Sequence, residues 1–304
     1  MTLIDCLQFV NLVSGSSLRV GQGLESCTSE AQESHPFSVD GRKVVLIDTP
    51  GFGDTTLADS DIWKIIAASL VTRQVHGPRK NAVKLIGAAH MHSHRAGIRL
   101  AGVIYMQRIS DVKVSGSARQ SFKMFQELCG EETYRNVVLV TGMWDTISSE
   151  VGDSRERELA SKEIFFKPVL QKGAGMMRHD NTRESALKII RSLVGMAPVT
   201  LRIQAELGGG GDIMQTSIYK EIHGVMLELV VQRKKRLDAL MAEMAEAERN
   251  GDEETQEELG EEVDAAKAEL QEAQNKVSRL ASEYEVELRR LEGMLRRRRI
   301  SQGH

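Results

Sequence analysis

Nowhere in its 304 residues does this chain carry G-x-x-x-x-G-K-S/T, the glycine-rich loop whose backbone amides cradle nucleotide phosphates. Other absences narrow the classes further. Cysteine is scarce: Cys6, Cys27 and Cys129 lie far apart without paired spacing, which argues against a disulfide framework or zinc finger and for a reduced, cytoplasmic protein. No apolar run approaches the ~18 residues of a membrane span. The apolar segment Leu7 to Val13 has no basic flank and is preceded by Asp5, so it does not read as a signal peptide. Charge of one sign is also missing, since 40 basic residues face 43 acidic ones. Without a basic field, no nucleic-acid partner is expected. The basic run Arg296 to Arg299 reads as the end of a helix, where cations complement the dipole, with a weak contact to an anionic membrane or nucleic acid as the alternative. No Ser-His-Asp or Cys-His arrangement follows from spacing. Aromatics make up only 4 %, and the 13 methionines fit a helix-rich chain.

Against these absences stands one informative run, Val-Val-Leu-Ile-Asp-Thr-Pro-Gly at 44–51. A β-branched apolar stretch ending in Asp48 and Gly51 reads as a buried strand that delivers a carboxylate and a glycine to its C-terminal end. Nucleotide triphosphatases use such a pair for magnesium and the γ-phosphate; a strand followed by a plain Pro-Gly turn is the alternative. Phe37 to Asp48 forms the pattern of a β-hairpin turning at Asp40-Gly41.

Helical spacing appears at 2–13 and at 61–71, and Phe122, Phe125 and Leu128 mark a helix that ends near Gly130. Leu100 to Met106 and Asn136 to Thr141 read as further strands, with a charged helix at 154–164. A short last strand near 175–181 and a helix at 182–195 complete the series. Strands alternating with helices predict a parallel-dominated α/β sheet with its chemistry at the strand C-termini.

Gly208 to Gly211 reads as a flexible linker within 206–215, separating residues 1–205 from a helical region at 216–304. In that region Val263, Leu270, Val277, Tyr284 and Leu291 recur every seventh residue. Ala266, Ala273, Leu280 and Met294 fall at the intervening core position, with Glu287 the polar exception. Val230, Leu237 and Met244 repeat likewise in a first arm, with Leu227 and Met241 beside them. With Asn250-Gly251 as a turn, the pattern predicts an antiparallel helical hairpin or a longer coiled coil in a dimer.

Taken together, these motifs resemble the fungal septin-like and immune-associated (AIG-type) guanine-nucleotide-binding domains of the P-loop GTPase class. Asn11 to Gly21 is similar to the first helix and the start of the switch region. Cys27-Thr28-Ser29 resembles the switch threonine, Phe37 to Gly51 the hairpin with Asp-x-x-Gly, and Val138 to Asp145 the base-recognition strand end. Gly130-Glu-Glu-Thr fits the same group. The resemblance implies GTP or GDP and Mg2+ as ligands. Thr28 and Asp48 would hold the metal, Gly51 would donate its N–H to the γ-phosphate, and Thr141, Asp145 and Asn181 would meet the guanine. Thr28 as a surface-loop residue, and Asp145 and Asn181 as helix caps, remain alternatives.

The resemblance also implies a first strand and phosphate loop of about 15 residues ahead of the first helix, where this chain has Met1 to Cys6. The expected fold is therefore a P-loop NTPase-like doubly wound sheet lacking that central strand, followed by a coiled-coil hairpin. The base motif reads Thr-Gly-Met-Trp-Asp instead of N/T-K-x-D, and Phe52 stands where Ras-like enzymes place a water-orienting glutamine. GTP hydrolysis thus has no assignable catalytic residue. The function expected is a GTP-binding switch coupled to a coiled-coil arm that engages a partner or a second copy. A non-binding pseudo-GTPase that acts as a coiled-coil scaffold is the alternative.

Residues 76–97 interrupt the expected connection and read as a surface loop insertion. His90, His92 and His94 alternate there without a fourth metal ligand nearby. A misassembled gene model would account for both this insertion and the missing start.

Overall fold

The computed structural model describes residues 4–18, 32–48, 82–87, 100–112, 114, 116–207 and 212–301. The chain divides into two compact units, 1–217 with 291–304 and 218–290. The predicted helix at 61–71, the linker at 208–211 and the histidines at 90–94 lie outside the described residues.

In the first unit, helix α1 (Ile4–Ser14) precedes strands β1 (Gln32–Glu33), β2 (Phe37–Val39) and β3 (Arg42–Asp48). The β2–β3 hairpin turns at Asp40 and Gly41, whose φ values of 50° and 77° are those of a two-residue primed turn. Then follow β4 (Ala82–Gly87), β5 (Gly102–Arg108), α2 (Gly116–Cys129), β6 (Val137–Gly142), α3 (Ser149–Ser161), α4 (Lys167–Gln171), β7 (Gly175–Arg178), α5 (Arg183–Val194) and α6 (Arg202–Leu207). The sheet runs β1-β3-β4-β5-β6-β7 with β2 on β3. Strands β3 to β7 are mutually parallel, and β1 and β2 pair antiparallel to β3.

Strand β4 corrects the expectation at 76–97. Residues 82–87 are a strand inserted between β3 and β5, with Lys43 opposite Ala82 and Leu85 opposite Gly102. The position that the resemblance reserves for a missing central strand is therefore filled from within the chain. The ladder is continuous, and neither β3 nor β5 is left with an open inner edge.

Alternation along the strands covers both faces, as parallel sheets require. Val44, Leu46, Ile104, Met106, Val138 and Val140 pack on one face against Phe9, Val10 and Val13 of α1 and Ile189, Ile190 and Leu193 of α5. On the other face Tyr105 meets Phe122 and Phe125 of α2 and Phe166, with centroids 5.2, 4.8 and 6.1 Å away. Burial raises the Tyr105 phenol well above its ordinary value. Four of the chain's aromatics thus form one cluster. At the start of β5, a Cβ on Gly102 would lie 2.7 Å from both the Asn136 carbonyl and Leu193, so only glycine fits. Asn136 closes that end of the sheet by donating its amide to the carbonyls of Ala101 (2.7 Å) and Ala197 (2.9 Å).

The second unit, 218–290, consists of most of two long helices, α7 (Ser217–Asn250) and α8 (Glu253–Ser301), joined at Gly251 with φ 67°. Asp252 caps α8 by accepting from the Thr255 N–H at 3.1 Å, and the Thr255 hydroxyl holds its carboxyl below the usual range. Antiparallel pairing of the arms follows from the short turn. Val263, Ala266, Ala273 and Leu280 are buried as the heptads predict, and Leu270 and Val277 are half-buried. The side chains of Tyr284, Leu291 and Met294 lie outside the described residues. In α7 the heptad reading needs one correction: Leu227 and Met241 are exposed, and Leu240 and Ala247 are buried instead. The seam of α7 therefore runs through 230, 233, 237, 240, 244 and 247, with Arg233 paired to Glu269 of α8.

Candidate functional site

Because β3 to β7 are parallel, their C-terminal ends share one edge, and the loops leaving that edge carry the polar groups. Asp48 is the last residue of β3 and fully buried. Alternation places it on the face of Val44 and Leu46, the side covered by α1. Thr28 and Gly51 lie outside the described residues.

The ends of β6 and β7 form one connected cluster. Thr141 is fully buried, and its hydroxyl bonds Glu156 of α3 at 3.2 Å. The Trp144 indole donates to the Thr141 carbonyl and hydroxyl at 3.1 and 3.2 Å. Arg178, at the end of β7, lies 4.0 Å over the Trp144 ring and pairs with Glu156 and Asp153. Gly152 makes this packing possible, since a Cβ there would fall 2.5 Å from the indole. Met143 takes the left-handed conformation at φ 62°, turning the chain so that Asp145 sits exposed in the short 3-10 turn Trp144–Thr146. Neither Asp145 nor Asn181 is a helix cap. Ser148 caps α3 and Thr182 caps α5, which leaves both side chains on exposed loops beyond neighbouring strands.

Next to them, His179 is buried with its backbone N–H donating to the Thr141 carbonyl at 2.8 Å, its ring Nδ1 2.8 Å from the Ser185 hydroxyl and its ring 5.1 Å edge-on from Phe9. Burial lowers its affinity for a proton despite the neighbouring Asp180. The Ser185 and Thr182 hydroxyls hold Asp180 down to about 2. In the unfolded chain His179 titrates near ~6.5, so below that pH the unfolded state takes up a proton that the fold refuses. Stability is therefore expected to fall as pH drops from 7 to 5. His179→Gln flattens that part of the profile, read as urea midpoints at each pH; a wild-type midpoint independent of pH in this window would contradict it.

At the end of β5 a cavity of about 280 Å³ opens between Gln107, Arg108, Asp111, Arg119 and the α3 residues Arg155 and Glu158. Arg108 bonds Asp111 at 2.9 Å, and Arg155 donates to the carbonyls of Ile109 and Ser110, both at 2.9 Å. Helix α3 thus holds the β5, β6 and β7 loops together through Arg155 and Glu156. The sequence reading did not single out Trp144, Arg178, Glu156 or His179 in this role. The one signal was that Arg178 and His179 lie in the segment read as the last strand.

Among the described residues no cluster of three or more His, Cys, Asp or Glu forms a metal cage. Magnesium does not need one, since it is held by one or two carboxylates with phosphate and water oxygens. Asp48 at a strand end is a suitable donor of that kind. The Thr141 hydroxyl, in contrast, is committed to Glu156 and Trp144.

These features define a doubly wound, mixed α/β protein with polar groups gathered along one strand edge and a helical hairpin arm. No family model and no curated protein matches the chain. Among solved structures it is similar to Toc33 from Arabidopsis thaliana in complex with GDP and Mg2+, at 12 % identity and TM-score 0.43, covering 65 % of this chain and 83 % of that one. Toc33 with Mg2+ and GMPPNP gives 13 % identity and TM-score 0.42, with 66 % and 79 % covered. A dimerization-deficient mutant of Toc33 gives 13 % and 0.44, with 65 % and 83 % covered. A likeness of this size carries nothing about ligand or activity for this chain. No helix of the described residues is long and apolar enough to cross a membrane.

Proposed function

We propose that this chain binds guanine nucleotide with magnesium as a GTPase-type domain of the AIG or septin-like kind, its nucleotide state coupled to the helical arm. The observation that supports it is the gathering of Asp48, the Thr141–Asp145 turn and Asn181 on one edge of five parallel strands. In this reading Asp48 holds magnesium through a water, and Thr28 and Gly51 reach the γ-phosphate. The ion would neutralise phosphate charge. The Asp145 carboxylate accepts from the guanine N1–H and exocyclic amine, with Asn181 beside the base. Trp144 and Arg178 fix the turn that carries Asp145, and Thr141 anchors it from beneath. No residue is assigned to hydrolysis.

A carboxylate paired to two N–H donors discriminates guanine from adenine. Asp145→Ala is expected to lose about 10- to 100-fold of the preference for GTP over ATP, measured by competition against a labelled GDP. An unchanged preference removes Asp145 from the site. The second reading, a pseudo-GTPase that serves as a scaffold, is favoured by two observations: the Thr141 hydroxyl is already committed, and no phosphate-loop motif occurs in the sequence. Failure of any nucleotide to compete at millimolar concentration, with self-association retained, would support it.

A further inference from the structure

Four of the exposed large apolar side chains lie on α7: Leu227, Leu229, Val231 and Met241. Three of them, Leu227 at 44 %, Val231 at 51 % and Met241 at 52 % exposure, are far from random in position. With Lys234, Asp238 and Ala245, all exposed, they follow a 4-3-4-3-4 spacing, the seam of a coiled coil. This stripe is one residue on from the positions that pack against α8. It therefore lies about 100° round the helix and remains open when the hairpin is formed. It is about 27 Å long by the helical rise.

The stripe is complementary to itself in one direction only. If two copies of α7 lie antiparallel about a two-fold axis at Arg236, Leu227 faces Ala245 of the other copy and Val231 faces Met241. Lys234 then faces Asp238, and symmetry repeats every pair, as an isologous interface requires. In-register parallel pairing would instead set Lys234 on Lys234 and the whole basic run Arg233 to Arg236 on itself. Among the described residues Lys234 and Asp238 make no ion pair, although the neighbouring Arg233 and Arg236 both reach Glu269. Two opposite charges in the middle of an apolar stripe thus remain available to each other across the axis. Lys235 falls at the rim, where salt screens its approach to its own copy.

We propose that the occupant of this stripe is a second copy of the chain, its α7 packed antiparallel so that two hairpins join into a four-helix arrangement. The inference does not rest on nucleotide binding. It is tested on the full chain by sedimentation equilibrium and by cross-linking. The wild type is expected to be a dimer. Lys234→Asp or Asp238→Lys alone places like charges opposite each other twice and weakens the dimer about tenfold or more. The double exchange Lys234→Asp with Asp238→Lys restores it. Helix content by circular dichroism stays constant throughout, since all these sites are exposed.

Direction is read in a Cys27→Ser background, in which Cys6 and Cys129 are buried. Chains with Leu227→Cys and chains with Ala245→Cys form a disulfide only when mixed. A monomeric wild type, a dimer indifferent to the charge changes, or efficient cross-linking of either variant with itself overturns the proposal. The last of these would indicate a parallel coiled coil, and a dimer indifferent to the charge changes would indicate an interface elsewhere on the molecule.

Discussion

Asp48→Asn is expected to remove the magnesium-dependent part of nucleotide affinity, about 10- to 100-fold, while leaving the chain folded. The substitution keeps the shape of the side chain and deletes only its charge. Asp48 is fully buried at the end of β3, next to Ile47 in the core. A purely structural aspartate behaves differently: its replacement lowers the thermal midpoint and leaves the effect of magnesium untouched. Titrations of a fluorescent guanine nucleotide with and without magnesium, together with a melting curve, separate the two outcomes.

Phe125→Ala is expected to have the largest effect on stability, about 3–5 kcal/mol. The ring is fully buried, 4.8 Å from Tyr105 and 5.9 Å from Phe122. Tyr105 and Phe122 are themselves packed against Phe166, which holds them out of the vacated space, so the cavity persists. A loss of that size approaches the whole stability of an ordinary domain. The variant's first unit is expected to lose near-UV circular dichroism at room temperature or after mild warming. The α7–α8 hairpin, a separate compact unit, continues to give helical far-UV signal. A midpoint within a few degrees of the wild type would mean that the cluster around Tyr105 can repack.

Elements whose apolar period is long and clean were legible in the sequence. The β2–β3 hairpin carries both the alternation and the Asp40-Gly41 turn. Strand β6 opens on the apolar run Val137 to Val140, and the heptads of α8 put Val263, Ala266, Ala273 and Leu280 into the seam. Strand β4 was not legible. Ala-Val-Lys-Leu-Ile-Gly is only six residues long and lies between a Gly-Pro-Arg-Lys segment and a histidine-rich one, so local composition spoke for a loop. Its place is set by backbone pairing with β3 and β5, which are distant in sequence and which no local period reports. Helix α3 begins at Ser149, several residues ahead of the charged stretch at 154–164. The Ser148 hydroxyl and the fit of Gly152 under Trp144 set that start. In α7 the exposed Leu227 and Met241 read as core because they sit one position off the true seam.

The candidate site was legible as residue types at strand ends and not as an assembled pocket. Asp48, Asp145 and Asn181 do fall on one edge, because parallel strands bring every C-terminal loop to the same side. Thr141 sits there too, but its hydroxyl is tied down by Glu156 and Trp144, contacts that depend on how α3 crosses the edge. The cation–π contact of Arg178 with Trp144 joins residues 34 positions apart by their numbers, and nothing in either local sequence predicts it.

The central claim, that this edge binds guanine nucleotide with magnesium, is tested most directly by titrating the wild-type full chain with a fluorescent GTP analogue, with and without Mg2+. Micromolar or tighter binding that weakens when magnesium is withdrawn and is displaced by unlabelled GTP but not by ATP is the expected result. Absence of saturable binding at millimolar nucleotide, in protein shown to be folded, would contradict it.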